Sequence, residues 1–224
     1  MSLFEYAKNH ISDDPTTKKL QFYKKYDDFF QKNNIKPSTI FEIGVFHGES
    51  TKVFSRVFPE AKIIAADLEL RDIDFSDYPN VKYIQVDQRN KNSLEEIVSN
   101  EFPNGIDFIL DDASHVGYFS IITFNVLFPL LKKGGLYAIE DWGTGYWDTW
   151  VDGSRFQAYP LNPLDGYIPK RIPSHDFGMV GFVKSLVDLI AEESFKAGQG
   201  DIPKRETRIK SLEIVGGICF ATKA

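Results

Sequence analysis

A chain of 224 residues, 42% of them hydrophobic, can bury a substantial core and is most simply one domain. Its 26 Lys and Arg against 32 Asp and Glu leave a net charge of −6, which argues against the broad basic face of a nucleic-acid binder and points to a small-molecule partner. Cys219 is the single cysteine and has no internal disulfide partner. The N-terminus MSLFEYAKNH lacks a signal-peptide run, and no stretch nears the ~20 apolar residues of a membrane span, so a cytoplasmic setting without a membrane partner is expected.

Residues 17–33 place Leu20, Tyr23, Phe29 and Phe30 at mainly helical spacing, which predicts an amphipathic helix within an N-terminal helical segment, residues 1–36. Beyond Pro37 apolar runs alternate with amphipathic ones. Strands are expected at 38–44, 61–67, 81–87, 106–112 and 135–141, and helices at 49–58, 91–100 and 118–132, the last interrupted by Pro129. Such alternation signals an α/β fold with a doubly wound, mostly parallel sheet. Residues 142–175 differ: Trp142, Tyr146, Trp147, Trp150, Phe156, Tyr159 and Tyr167 lie among glycines and prolines without a period, as in a functional loop. A helix at 177–195, a connection at 196–206, and two strands around Val215-Gly216-Gly217 close the chain, the tight turn implying an antiparallel hairpin.

The first strand runs into Glu42-Ile43-Gly44-Val45-Phe46-His47-Gly48-Glu49-Ser50. Gly44 and Gly48 permit a sharp turn and close approach to a ligand, Ser50 can cap the helix that begins there, and Glu42 offers a negative charge to a cationic amine. The GxGxxG spacing of a dinucleotide cradle is absent, which disfavours a nicotinamide-dependent oxidoreductase. Asp67, at the end of the second strand, is suited to the hydroxyls of a ribose.

Two later strand ends are acidic. FILDDASH passes through Asp111 and Asp112 to His115, and GGLYAIEDW passes through Glu140 and Asp141. On adjacent parallel strands these carboxylates repel one another unless a cation, protons or solvent intervenes. Adjacent strands lie ~4.8 Å apart, so Asp112, Glu140 and Asp141 can share a hard ion such as Mg²⁺, provided the backbone bends near residue 140. Alternation along the strand puts Asp111 on the opposite face from Asp112. His115, three residues after Asp112, is the candidate general base.

The pattern ExGxxxGxS followed by a strand-end Asp resembles the class I S-adenosylmethionine-dependent methyltransferases, whose sheet has seven strands and a reversed final hairpin. Within them, DDASHVGYFSIITFNVLFPLLKKGGLYAIEDWGTGYW is similar to the macrocin and mycinamicin type of sugar O-methyltransferase and to cephalosporin-hydroxylase-like proteins. The resemblance covers residues 38–150 well and the closing helix and hairpin more loosely, making residues 37–224 a methyltransferase domain with a lid at 142–175. It implies a Rossmann-like fold, with Gly44 and Gly48 along the methionine moiety and Asp67 at the ribose. Asp87 and Gln88 fall near the adenine, and Asp111 towards the cofactor.

The expected activity is Mg²⁺-dependent methyl transfer from S-adenosylmethionine to one hydroxyl of a vicinal diol, on a sugar unit of a glycoside or natural product. A catechol-type acceptor, a nicotinamide-dependent oxidoreductase and a non-catalytic cofactor-binding subunit are the alternatives, and a homo-oligomer is compatible with each.

Overall fold

The computed structural model describes residues 1–11, 18–155, 159–160, 173–191, 194, 197–198 and 208–224. Phe156, Tyr167, most of the 196–206 connection and the end of the helix expected at 177–195 lie outside the described residues.

Seven strands form one sheet: β1 (Thr39–Ile43), β2 (Lys62–Asp67), β3 (Val81–Gln85), β4 (Ile106–Asp111), β5 (Leu131–Glu140), β6 (Ile209–Val215) and β7 (Ile218–Lys223). Their order across the sheet is β3-β2-β1-β4-β5-β7-β6. The first five are mutually parallel, whereas β7 is antiparallel to both β5 and β6. The mostly parallel sheet with a reversed hairpin is therefore present.

Helices cover both faces, as a parallel sheet requires. On one side α1 (Leu3–His10), α2 (Leu20–Asn33) and α3 (Glu49–Val57) bury Tyr23, Tyr26, Phe29, Phe30 and Phe54 against Ile40, Phe108, Leu110 and Phe220. On the other, α4 (Lys91–Glu101), α5 (Gly117–Leu127) and α6 (Gly178–Ile190) bury Leu94, Phe124, Leu127 and Phe182 against Phe41, Ile43, Ile109 and Tyr137. The N-terminal helices thus belong to the main core. Asp27 of α2 accepts from the amides of Leu3 and Phe4 at 2.9 and 2.8 Å, satisfying two of the donors that the start of α1 leaves open.

The α5 helix is shorter than its apolar run, because Pro129 turns the chain into a 3₁₀ segment at Phe128–Leu130. Strand β5 accordingly starts at Leu131. Cys219 is buried in β7, where burial pushes its thiol up to about 12.

Candidate active site

The site lies where the parallel strands end. Gly44 follows β1 with φ +93°, a conformation that favours glycine, and its amide donates to Ala66 O at 2.8 Å. A Cβ at this position would lie 2.1 Å from the Asp112 carbonyl oxygen, so only glycine lets the loop after β1 pack on the end of β4. Asp67 Oδ2 secures the same loop, accepting from the amides of Val45 and Phe46 at 2.8 and 3.0 Å.

These groups border a cavity of about 420 Å³ lined also by Asp87, Gln88 and Phe119. The Asp87 carboxylate holds the Arg89 guanidinium through contacts of 2.6 to 3.0 Å, and burying Gln88 leaves its amide bonded to Thr123 Oγ1 and Ser114 N. The size and the mixed polar and apolar lining suit a nucleoside.

Four of the expected cofactor residues sit differently. Gly48 has φ +79° at the start of α3, and a Cβ there would meet Ile73 and Phe75, so its requirement is packing rather than cavity lining. Glu42 is fully buried and accepts from Ser50 Oγ and from Thr51 Oγ1, so it lines neither cavity and Ser50 is not an amide cap. Burial raises the pKa of Glu42. Asp111 does lie on the opposite face from Asp112, but α5 packs over that face; Tyr137 OH donates to it at 3.1 Å, and burial lifts its pKa to about 7. It too borders neither cavity.

The acidic edge follows from strand register. Leu110 pairs with Ala138 and Asp111 with Ile139, so Asp112 and Glu140 fall side by side on the next rung and on one face. Two carboxylates so placed need a counter-charge, and Lys18 provides one. Its Nζ lies 3.0 Å from Asp112 Oδ2 and 2.6 Å from Glu140 Oε1. Tyr26 OH also donates to Glu140 Oε1, at 2.7 Å. Burial and the Asp112 charge raise the pKa of Glu140, whereas Lys18 and His115 outweigh burial at Asp112 and lower its pKa.

Past Glu140 the chain bends. Asp141 has φ +50° and leads into a 3₁₀ turn at Trp142–Tyr146, with its amide donating to Gly217 O at 2.7 Å. The bend separates Asp141 from Glu140 and brings it to Asp112 and His115. One ligand atom from each of Asp112, His115 and Asp141 lies within 4.8 Å of the others. The two carboxylates of this set, Asp112 and Asp141, fit a hard divalent cation with room left for oxygen ligands, and the imidazole stands beside them. Glu140, expected as a third carboxylate ligand, is instead held beneath α2 by Lys18 and Tyr26, because it still belongs to the straight part of β5.

His115 is also left-handed, φ +50°, as are Phe46 and Asp141 around the same space; such backbone cost concentrates at functional positions. Its Nε2 lies 3.0 Å from Asp112 Oδ1, and its carbonyl accepts from Trp150 Nε1 at 2.9 Å. Burial alone lowers the imidazole pKa, but the Asp112 bond and surrounding carboxylates outweigh it and raise the value. A second cavity, about 670 Å³, opens beside His115 and Asp141 and is walled by Trp147, Trp150, Phe22 and His47. The two cavities share Gly44, Phe46, Asp112 and Ala113. Asp152 ties the aromatic loop to the starts of α5 and α6, accepting from the amides of Gly117 and Met179, each at 2.7 Å.

Sequence reasoning missed Lys18 and Tyr26 on the acidic edge, and Arg89 beside Asp87. Tyr26 was readable as part of the apolar face of its helix, but a hydroxyl directed at Glu140 leaves no mark in the pattern.

The strand order, the glycine turn and the acidic edge together define the fold of a class I S-adenosylmethionine-dependent methyltransferase. No protein-family model matches the chain. Among curated proteins it is similar to the mycinamicin VI 2''-O-methyltransferase of Micromonospora griseorubida, with 27% identity over 211 residues, covering 90% of this chain and 48% of the relative. It is also similar to the 8-demethyl-8-alpha-L-rhamnosyl tetracenomycin-C 2'-O-methyltransferase of Streptomyces olivaceus, with 30% identity over 207 residues, 88% of this chain and 49% of the relative. The chain spans about half the length of these relatives. The fold superposes with a TM-score of 0.72 and 24% identity on MycE, a methyltransferase of mycinamycin biosynthesis solved with Mg and SAH, covering 100% of this chain and 54% of that one. The resemblance to sugar O-methyltransferases of the mycinamicin type is thus borne out.

No helix among the described residues is long and apolar enough to cross a membrane.

Proposed function

We propose that this chain is an S-adenosylmethionine- and Mg²⁺-dependent O-methyltransferase that modifies one hydroxyl of a vicinal diol, on a sugar unit of a glycoside or other natural product. The observation that carries this reading is the cluster of Asp112, His115 and Asp141, in which Asp112 borders two cavities, one suited to a nucleoside and one walled by tryptophans, and His115 and Asp141 line the second. The named activities of the relatives, all O-methyl transfers, support it.

S-adenosylmethionine supplies an already activated methyl group, so the protein has to supply an oriented nucleophile. Asp112 and Asp141 would hold a hard divalent cation, which would supply Lewis-acid acidification of an alcohol too weakly acidic to ionise at neutral pH. His115 takes the hydroxyl proton at its imidazole, whose basicity the bond to Asp112 raises. Asp112 also holds the imidazole in orientation and balances the charge it gains. Trp147 and Trp150 offer flat faces to a sugar ring, and the aromatic segment that carries them excludes water from the reacting oxygen.

Isothermal calorimetry with S-adenosylhomocysteine and with NAD, each with and without Mg²⁺, tests the reading. Binding of S-adenosylhomocysteine with no NAD signal is expected. The reverse result removes methyl transfer from consideration.

A further inference from the structure

The acidic edge already contains a cation, and that cation belongs to the chain. Lys18 is almost wholly buried, its side chain 8% exposed, and its ammonium bridges Asp112 and Glu140 across two adjacent strands. Burying a lysine is unfavourable unless it is paired, and this one is paired on two sides. Its own pKa stays well above the usual value, since the two carboxylates outweigh burial.

We propose that Lys18 is an internal counter-ion that a divalent metal must displace from Asp112, and that Glu140 becomes a metal ligand only when Lys18 has left it. This rests on the reading of Asp112 and Asp141 as metal ligands. Asp112 is common to both arrangements: one oxygen faces Lys18, while the carboxylate also belongs to the set with His115 and Asp141. An ammonium at 3.0 Å and a doubly charged ion at the ~2.1 Å typical of Mg²⁺–carboxylate contacts would repel strongly across one shared carboxylate. With Lys18 in place the apo edge is neutralised without metal; with Lys18 withdrawn, three carboxylates face the ion. The chain therefore sets its own threshold for metal, and Glu140 changes role from ion-pair partner to ligand as the threshold is crossed.

The test uses the whole protein and MgCl₂ alone. Calorimetric titration of Lys18→Met is expected to show Mg²⁺ bound at least about tenfold more tightly than by the wild type, a 1.4 kcal/mol difference. Lys18→Arg keeps the charge and is expected to stay near the wild-type affinity. Glu140→Gln is expected to change Mg²⁺ affinity little in the wild-type background but to weaken it about tenfold beside Lys18→Met.

A measurement on the unaltered protein covers the case in which a variant does not fold. Acetic anhydride labelling read by mass spectrometry should modify Lys18 slowly in EDTA and several times faster in saturating MgCl₂. Equal Mg²⁺ affinity in wild type and Lys18→Met, or labelling of Lys18 that Mg²⁺ does not change, overturns the displacement while leaving the metal site standing. Absence of Mg²⁺ binding in both proteins overturns the metal site as well.

Discussion

Replacing Gly44 with alanine tests the close approach on which both cavities depend. The added Cβ would sit 2.1 Å from Asp112 O, 2.4 Å from Asp112 C and 2.6 Å from Ala113 Cα, where ordinary contact begins near 3.4 Å. Relief demands a separation of about 1.3 Å between the loop after β1 and the end of β4, the shortfall from ordinary contact. Both segments are tied, however: Asp112 N donates to Ile43 O and Gly44 N to Ala66 O, each at 2.8 Å. A non-glycine residue at φ +93° costs about 1–2 kcal/mol. Forced overpacking adds about 1–3 kcal/mol, for a loss of about 2–5 kcal/mol from a stability of order 5–15. Urea denaturation should report this loss, and calorimetry should show S-adenosylhomocysteine binding weakened more than about tenfold, because Gly44 and Asp112 both line the 420 Å³ cavity. Gly143→Ala is the stability control, since a Cβ there meets nothing within 4 Å. An alanine at 44 that unfolds and binds like the wild type would refute the close-approach argument.

His115→Ala should lower turnover by about 10²–10⁴-fold, while S-adenosylhomocysteine affinity stays within a few-fold; equal losses in both would sink its assignment as base. Asp107 is predicted to govern part of the acid stability through its grip on the start of β1. It accepts from the amides and hydroxyls of Ser38 and Thr39 at 2.6 to 3.0 Å and pairs with Lys132 at 2.8 Å. Burial would raise its pKa, but the Lys132 bond and the Ser38 and Thr39 donors prevail and lower it. With the folded pKa depressed, its contribution is complete above the unfolded value of ~3.9 and disappears as pH falls through the lower folded value. Asp107→Asn should therefore cost about 1–2 kcal/mol at pH 7 by urea denaturation, a deficit that shrinks below about pH 4; a deficit unchanged at pH 3 contradicts the linkage.

The parallel strands were legible because each is a short β-rich run closed by a glycine, an acid or a loop, and such runs have one reading when helices separate them. Strand β5 was harder to bound. Lys132-Lys133-Gly134-Gly135 has the composition of a turn, yet it lies within the strand, across an irregular register between β4 and β5. Helix α1 falls within the N-terminal segment expected to be helical but was not resolved as a helix of its own: eight residues are too few to announce themselves, and Asp27, more than twenty positions away, satisfies its first amides. At the site, residue types and strand alternation separated Asp111 from Asp112. They did not reveal that α5 would cover Asp111, because helix packing over a strand end has no local sequence signal.

Repulsion among the strand-end acids was itself a sound inference; the source of the compensating charge was the open question. In a run such as Thr17-Lys18-Lys19 a lysine ordinarily reads as solvated, and only the register that sets Asp112 beside Glu140 reveals a position requiring one. Once Lys18 fills that position, the bend at Asp141 acquires a second consequence. It does more than bring a carboxylate towards His115: it divides two consecutive acids that both line the 670 Å³ cavity, Glu140 remaining with the Lys18 ammonium and Asp141 turning towards Asp112 and His115. A strand continuing straight through residue 141 would point Asp141 to the opposite face, leaving Asp112 and His115 without it. The left-handed residue is thus what allows one strand end to serve an internal ion pair and a candidate metal site at once.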